Sequence, residues 1–161
     1  MPGSNLNQRL MHLVQSYVVI NGVKTVVAKA GFSAKLTEDQ AVSDNVTSTV
    51  KFNVEEYDVG DCYDTVEYKW TPPNGLVFLN AQVEYDNLGA GGHNIYILKN
   101  GETFRENFIR GVGTANSSQS LVVFDYASGT DYYQVQTHFY NGSCTKLYNN
   151  GRTYFSGVAL G

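Results

Sequence analysis

Residues that commonly carry catalysis are present in this chain, but they stand apart from one another. The histidines are His12, His93 and His138, and no two of them fall at the spacing of a zinc-binding HExxH helix. No serine lies in a GxSxG turn, and no Cys-His signature surrounds Cys62. His138 falls on the polar side of a predicted strand, which is typical of a surface histidine. We therefore expect no catalytic residue and no enzyme activity.

Carboxylates cluster in the stretch VEEYDVGDCYD, residues 54–64. Hard cations such as calcium need several oxygen ligands in one loop, and Asp58, Asp61 and Asp64 are the candidate ligands here. The spacing is not that of an EF-hand, so a solvated acidic loop is the favoured interpretation. We expect no bound cofactor, with calcium as the one alternative. The glycine-rich stretches GAGGH (89–93) and GVGTANSS (111–118) lack the ending of a phosphate-binding loop and are interpreted as turns or loops.

Charge and composition exclude several classes of partner. The formal net charge is −4, which provides no basic surface for nucleic acid or for an anionic membrane. Uninterrupted apolar runs such as LVFL and LVVF are far too short to span a bilayer. The first residues contain no long apolar stretch, so we expect no signal peptide. In a protein made in a reducing cell, Cys62 and Cys144 are expected to stay unpaired, with a disulfide between them as the alternative.

The elements that must position these side chains are predicted to be β-strands. Five Asn-Gly pairs, which favour the tight turns of hairpins, punctuate the chain. In LVFLNAQVEYD (76–86), the side chains at 79, 81, 83 and 85 alternate with polar ones, and YQVQTHFY (133–140) alternates in the same way. Short strands joined by turns predict an antiparallel sandwich or barrel.

Residues 1–30 are predicted to form a separate docking arm in front of a β domain at 31–161. Leu6, Leu10, Leu13 and Tyr17 fall at helical spacing and predict a short helix. YVVI-NG-VKTVV (17–27) predicts a small hairpin. Because the segment is too small to have its own core, we expect these residues to anchor the domain on a neighbouring chain or a larger assembly.

The C-terminal stretch TYFSGVALG (153–161) is uncharged on both faces. One face carries Tyr154, Ser156, Val158 and Leu160, and the other carries Phe155, Gly157 and Ala159. A strand that carries no charged side chain on either face is expected to be covered on both faces. Either it is a central strand in the core of a single chain, or its second face is buried against another subunit. The small residues at 157 and 159 indicate that a large group comes close.

A series of motifs between residues 30 and 161 follows a recognisable order. Phe52, Asp58, Tyr63 and Trp70 match the pattern F-x5-[N/D]-x4-aromatic-x6-aromatic, whereas Gly75 comes one residue early and Val77 replaces an expected aromatic. FSAKL (32–36), VKFNVEEYDVG (50–60), TPP (71–73), YILKNGE (96–102) and the closing TYFSGVALG appear in the matching order. In these motifs the chain resembles the globular head of the complement C1q and tumour necrosis factor superfamily.

The resemblance implies a ten-strand antiparallel jelly-roll sandwich that assembles as a tight homotrimer. In that family the N- and C-terminal strands pair near the threefold axis, which aromatic and aliphatic side chains line. The residues implied at the trimer interface are Phe32, Tyr132, Tyr154, Phe155, Val158 and Leu160. Some heads of this family bind calcium, and ligands contact loops at the apex and sides, which correspond here to residues 87–93 and 111–118.

Secreted animal members of the family have a collagen-like stalk or a secretion signal, and neither is recognised in this sequence. Heads of this type also occur in bacterial and phage proteins. We therefore expect a non-enzymatic homotrimer on a virion surface, either a capsid decoration protein or a fibre head. It would be made in the host cytoplasm, be held to a capsid or tail protein by the arm, and recognise a host-surface glycan or protein. The alternative is an extracellular bacterial or secreted C1q-like domain that binds protein or glycan.

Overall fold

The computed structural model describes residues 17–20, 23–26, 28–87, 89–111, 116–141 and 143–160, the first two ranges by their backbone only. The strands are β1 (Tyr17–Ile20), β2 (Val23–Val26), β3 (Ala28–Lys35), β4 (Gln40–Ala41), β5 (Thr47–Thr49), β6 (Val54–Val59), β7 (Tyr63–Asp64), β8 (Lys69–Trp70), β9 (Gly75–Tyr85), β10 (Gly92–Lys99), β11 (Glu102–Arg110), β12 (Ser117–Ala127), β13 (Tyr133–Tyr140), β14 (Lys146–Leu147) and β15 (Tyr154–Leu160). Within these ranges no helix is long and apolar enough to cross a membrane.

Two antiparallel sheets face each other. In the first, β9 lies between β12 and β15, β15 pairs with β3, β3 pairs with β6, and the short strands β14 and β4 extend the sheet. In the second, the order is β11-β10-β13-β8-β7, with β5 also on β13. Neighbours far apart in the chain, such as β3 with β15, give the crossovers of a jelly roll. The all-β jelly-roll prediction is confirmed, although the strand segments exceed ten because several are only two or three residues long.

The alternation in the sequence sets which side chains enter the core. In β9 the side chains at 79, 81, 83 and 85 are fully buried, and so are those at 133, 135, 137 and 139 in β13, as predicted. Burying apolar surface between the sheets is the main favourable term in folding. The core is aromatic at one end, where the ring of Phe32 stacks on Tyr63 at 4.7 Å and lies 5.0 Å from Trp70.

The Asn-Gly pair at 100–101 forms the turn that the sequence predicts. Asn100 and Gly101 have φ angles of 56° and 86°, and they connect β10 to β11 in a tight hairpin. Two consecutive positive φ angles are characteristic of a type I′ turn, whose twist matches that of the strands. This hairpin fixes the register of the outer two strands of the second sheet.

The N-terminal hairpin is present, and the sandwich begins before the predicted boundary. β1 and β2 pair antiparallel with each other and, among the described strands, with no other strand. β3 starts at Ala28, because Ala28 and Ala30 pair with Leu160 and Ala159 of the C-terminal strand. Residues 28–30, which the sequence assigned to the arm, therefore belong to the sandwich. Of the predicted helix, Leu6, Leu10 and Leu13 lie outside the described residues, whereas Tyr17 is the first residue of strand β1 and is not helical.

Candidate self-association surface

The inward face of the C-terminal strand β15 completes the core of a single chain. The ring of Phe155 meets that of Phe32 edge-on at 4.8 Å. A Cβ atom added to Gly157 would lie 2.9–3.0 Å from the side chains of Leu79, Phe32 and Trp70. The large group predicted opposite Gly157 is therefore the aromatic core of the same chain.

This packing corrects two of the residues predicted at the trimer interface. Phe32 and Phe155 are both 0% exposed in one chain, so neither has side-chain surface left to contact a second copy. The period of the strand explains the correction, since Phe155 alternates with Tyr154 and Ser156 and turns inward. Tyr154, Val158 and Leu160 lie on the opposite face and remain partly exposed, as does Tyr132 before β13. For these four residues an interface role stays a prediction.

The outer side of the first sheet carries a continuous set of apolar side chains, here called the apolar outer face. It comprises Tyr57, Val59, Leu76, Phe78, Val122, Phe124, Tyr126, Val158 and Leu160. The strand register places Phe124, Phe78 and Val158 side by side across three neighbouring strands, and the row continues through Gly31 to Val59. A second row runs from Tyr126 through Leu76 to Leu160. With strands about 4.8 Å apart, five of them make this face about 20 Å wide.

The apolar outer face is exposed in the single chain. Leu76 is 44% exposed, Val122 50%, and Phe124 and Tyr126 64% each. The rings of Phe78 and Phe124 lie 5.0 Å apart and form a compact aromatic pair. Single exposed apolar residues are ordinary, but a contiguous apolar patch of this kind marks an interaction surface.

Sequence reasoning identified one of the four strands that contribute side chains to this face, β15, and missed the other three, β6, β9 and β12. β15 stood out because both of its faces lack charge. β12 contributes Val122, Phe124 and Tyr126 from the run SLVVFDY, whose alternate residue Val123 is buried in the core. The signal was present in that run, where apolar residues occupy both strand faces as they do in β15.

A polar rim borders the apolar outer face beside β3 and β6. Lys35 Nζ donates a hydrogen bond to Glu56 Oε1 at 2.9 Å, and Ser33 Oγ donates to Glu56 Oε2 at 2.9 Å. These hydrogen bonds, that from Lys35 first, lower the pKa of Glu56. A polar rim around an apolar centre is the usual anatomy of a protein interface.

The acidic loop uses its carboxylates to hold turns. Asp58 Oδ2 accepts hydrogen bonds from the backbone amides of Cys62 and Tyr63 at 2.7 and 2.9 Å. Asp64 Oδ1 accepts from the amides of Val66 and Glu67, both at 2.8 Å, and these bonds lower the pKa of Asp64. Asp61 is exposed beside an open cavity of about 650 Å³. Among the described residues no group of three His, Cys, Asp or Glu is placed to hold a metal ion, and Asp58, Asp61 and Asp64 form no such group.

The described histidines and thiols are engaged in the fold. His93 is fully buried, stacks on Phe139 at 4.4 Å, and shares a hydrogen bond through Nε2 with the Thr137 hydroxyl. Desolvation lowers the pKa of His93 to about 3, so its imidazole is neutral at physiological pH. Cys62 and Cys144 are unpaired, as predicted, and burial raises the pKa of both thiols. A protonated thiol is a poor nucleophile. His12 lies outside the described residues.

The outer side of the second sheet has a different character. It carries a group of polar and aromatic side chains, here called the polar-aromatic face: Asn94, Tyr96, Glu106, Phe108, His138 and Tyr140. The register aligns Asn94 with Phe108 on one side and with His138 on the other. His138 Nδ1 forms a hydrogen bond of 2.8 Å with the Thr47 hydroxyl. This histidine therefore lies on a sheet surface, where the sequence predicted it.

Comparison with known proteins agrees with the geometry at the level of the fold. No protein-family model matches the sequence, and no curated protein matches it significantly. Among solved structures, the globular domain of zebrafish complement 1qA protein superposes with a TM-score of 0.65 at 14% identity, covering 83% of this chain and 98% of that one. Murine APRIL gives 0.61 at 15% identity, covering 81% and 98% of the two chains.

A third similar structure is that of Eiger TNF from S. frugiperda, with a TM-score of 0.58 at 12% identity, covering 82% of this chain and 91% of that one. Identities this low establish the fold alone. The order of the strands, the packing of β3 against β15 and these superpositions lead to one conclusion: the chain has the jelly-roll fold of the C1q and tumour necrosis factor globular domains.

Proposed function

We propose that this chain is a non-enzymatic binding and structural domain that works as a homotrimer, with the apolar outer face as the surface where three copies meet. The observation that carries the proposal is the apolar row from Phe124 through Phe78 to Val158 on hydrogen-bonded strands, in which Phe124 is exposed and Phe78 and Val158 are half-buried. Burying such a surface favours association by about 25 cal/mol per Å² of apolar area, from which the cost of lost translational and rotational freedom is subtracted. The C1q/TNF-like fold supports a threefold arrangement of copies.

Several features of the described residues support a role without catalysis. The buried histidine is neutral and enclosed by Phe139 and Tyr85. Both thiols have raised pKa values and are held in the protonated form. In the acidic loop, Asp58 Oδ2 and Asp64 Oδ1 are occupied by turn hydrogen bonds. A trimer of rigid sandwiches instead presents three identical surfaces, which raises avidity without any new contact.

The finer proposal places the trimer on a virion surface, as a capsid decoration protein or a fibre head made in the host cytoplasm. The N-terminal segment would anchor it to a capsid or tail protein. In support, β1 and β2 pair only with each other among the described strands, which suits an arm that docks elsewhere. Three arms on one trimer would grip a symmetric platform together.

The oligomeric state is measured by size-exclusion chromatography with multi-angle light scattering at micromolar concentration. We expect a particle of three times the 17.8 kDa chain mass. A particle of one chain mass would overturn the proposal. Virion attachment is measured separately, by mixing the purified trimer and a variant that lacks residues 1–27 with particles that lack the protein. Attachment of the full chain alone supports the finer proposal, and equal attachment or none of either contradicts it.

A second candidate function is that of an extracellular bacterial or secreted domain that binds protein or glycan. The polar-aromatic face favours it, because hydroxyl, amide and ring groups converge there on an exposed sheet. Binding by the trimer without its arm would favour this candidate, and attachment that depends on the arm would favour the virion proposal.

A further inference from the structure

The second sheet presents a shallow trough along β10, and its walls differ from its floor. The floor is formed by Asn94, which has a short side chain, and by Gly92, which has none and is covered by the Phe108 ring. The wall on the β11 side carries Arg110 and Phe108, and the wall on the β13 side carries Tyr140 and His138. A Cβ atom on Gly92 would lie 2.5 Å from the Phe108 ring, so glycine is what lets that ring lie across β10.

A cluster of hydrogen-bonding groups occupies the centre of the trough. Asn94 Nδ2 donates to Tyr96 Oη at 2.7 Å and to Tyr140 Oη at 3.4 Å, and it lies 3.5 Å from Glu106 Oε2. The two tyrosine hydroxyls lie 3.1 Å apart and share one hydrogen bond. Two phenol oxygens and one carboxylate oxygen thus lie within 3.5 Å of the Asn94 amide nitrogen.

The hydrogen-bonding capacity of this cluster is not used up within the chain. Only one of the two phenol hydrogens can lie between the hydroxyl oxygens, so the other has no acceptor among the described side chains. The Oδ1 atom of Asn94 is buried and has no donor among the described residues, and the whole residue is only 7% exposed. A buried acceptor without a partner is unfavourable, but Asn94 Oδ1 lies beneath the surface, out of a ligand's reach. What the cluster offers a ligand is therefore the phenol hydrogen that has no acceptor among the described side chains, beside the oxygens of the two hydroxyls.

Aromatic rings flank these polar groups. Phe108 is 50% exposed, and its ring lies 6.0 Å from that of Tyr140 in an edge-on arrangement. The ring of His138 lies 4.1 Å from that of Tyr140. A cavity of about 250 Å³ opens at this end, lined by Gly91, Gly92, Phe108, Arg110 and Tyr140. Ring faces beside paired donors and acceptors suit a ligand that is apolar on one side and hydroxylated on the other.

Together these groups define the class of ligand. One cation and one carboxylate, Arg110 and Glu106, border the trough, so it lacks the positive charge that a nucleic acid or phosphate group needs. Phe108, which is 50% exposed, is the one large apolar side chain among the six residues of the polar-aromatic face, which is too little for a hydrophobic protein contact. A sugar ring carries C–H groups on its face and vicinal hydroxyls at its edge, which match the rings and the donor-acceptor pair.

We propose that the polar-aromatic face is a glycan-binding site, in which Phe108 and His138 contact the ring faces of a neutral oligosaccharide, Tyr96 and Tyr140 bind its hydroxyls, and Asn94 holds the two tyrosine hydroxyls in place. This proposal rests on the recognition role proposed above and gives that role a location and a ligand class. Each chain holds the whole site on β10, β11 and β13, so a trimer displays three copies. The site lies near the segment 87–93 that the sequence had indicated for ligand contacts.

The test begins with the full-length protein, fluorescently labelled, on a printed array of bacterial and animal oligosaccharides. The strongest glycan is then titrated by isothermal calorimetry. Phe108→Ala is expected to weaken its affinity about tenfold, through loss of the ring contact. Tyr140→Phe, which removes one hydroxyl and keeps the ring, is expected to weaken it about fivefold. Tyr148→Phe, a half-buried tyrosine on another part of the surface, is the matched control and should bind as the unmodified chain does.

The possible outcomes separate this site from the proposed assembly. Light scattering on each sample reports the oligomeric state, and circular dichroism reports folding. A folded protein that binds no glycan on the array overturns the proposal, as does glycan binding that both Phe108→Ala and Tyr140→Phe leave unchanged. Because each site lies within one chain, a monomeric particle that still binds glycan supports the site and overturns only the trimer.

Discussion

The two outer faces of the sandwich are built alike and composed differently. Both belong to antiparallel sheets whose inward residues are buried apolar or aromatic side chains. Outward, the first sheet presents the row Phe124, Phe78 and Val158, whereas the second presents Phe108, Asn94 and His138 at corresponding central positions. The fold requires the inward residues in both sheets, but it requires neither outward set.

An apolar outward face lowers the solubility of a single chain, and a partly unsatisfied polar cluster costs free energy unless something binds there. The first cost disappears when identical copies cover one another, and the second falls when a hydroxylated ligand accepts the free phenol hydrogen. Under the two proposals above, the first face serves assembly and the second serves recognition.

The largest expected effect comes from placing a charge on the apolar outer face. Leu160→Asp and Phe124→Asp should each convert the trimer to a folded monomer, because three carboxylates would be desolvated at the contact. Phe124 is 64% exposed in one chain, so its replacement leaves the core intact. Light scattering gives the mass, and circular dichroism confirms that the monomer is folded.

The matched control is Gln136→Glu, which places a carboxylate on the outward side of the second sheet. It should leave the trimer intact. If both apolar-face variants remain trimeric, or if the control becomes monomeric, the apolar outer face is not the surface where the copies meet.

A smaller effect is expected in the core between the two faces. Gly157→Val should destabilise the fold by about 3 kcal/mol, because the added Cβ atom alone would come within 2.9–3.0 Å of Leu79, Phe32 and Trp70. Chemical denaturation in the monomeric Leu160→Asp background measures this without a contribution from assembly. Ser156→Val, at the neighbouring outward position, is the control and should change the free energy of unfolding far less. Equal effects at both positions would contradict the inward packing of Gly157.

The inward residues could be predicted from the sequence because one physical rule places them. Alternation identified the buried residues of β9 and β13, and the Asn-Gly pair at 100–101 gave its hairpin turn. The same rule, applied to β15, indicates that Phe155 turns inward, away from Tyr154 and Leu160. The resemblance to a trimeric family had placed Phe155 and Phe32 at the interface, and their complete burial in one chain shows that they belong to the core.

The outward faces were harder to predict because they depend on strands that are distant in sequence. Phe78, Phe124 and Val158 become neighbours only through the register of β12, β9 and β15. Asn94, Glu106 and Tyr140 likewise come together from three strands of the second sheet. β12 alone shows two exposed rings, Phe124 and Tyr126, but a few exposed apolar side chains are ordinary on any protein surface. Which outward side chains become neighbours is decided by the pairing of the strands, and the linear sequence pattern does not contain that pairing.

Acid provides a third test, which acts beneath the polar-aromatic face. His93 is neutral in the folded chain, with a pKa lowered to about 3, whereas the ordinary value is 6.5. Its contribution to stability is therefore complete above pH 6.5 and is lost as the pH falls from 6.5 toward 3, because the unfolded chain binds the proton more readily. At pH 5 the loss from this residue should be about 2 kcal/mol.

Denaturation of the Leu160→Asp chain at pH 7 and at pH 5 measures this loss. His93→Gln in the same background should show a smaller drop between the two values, because the carboxylates contribute equally to both chains. If the free energy of unfolding fell by the same amount in both chains, His93 would bind a proton as readily in the folded chain as in the unfolded one. That result would contradict its enclosure by Phe139 and Tyr85.

The smallest effect is expected at the polar rim, and it marks how far the apolar outer face extends. Lys35 and Glu56 form an ion pair whose side chains are 41% and 45% exposed in the single chain. Glu56→Gln in the monomeric background should therefore change the free energy of unfolding by no more than about 0.5 kcal/mol. In the assembled trimer the same small change means that solvent still reaches the pair, so the contact stops short of β6. A loss above about 2 kcal/mol in the trimer would show that a neighbouring copy covers Glu56, since breaking a desolvated pair leaves a buried charge behind.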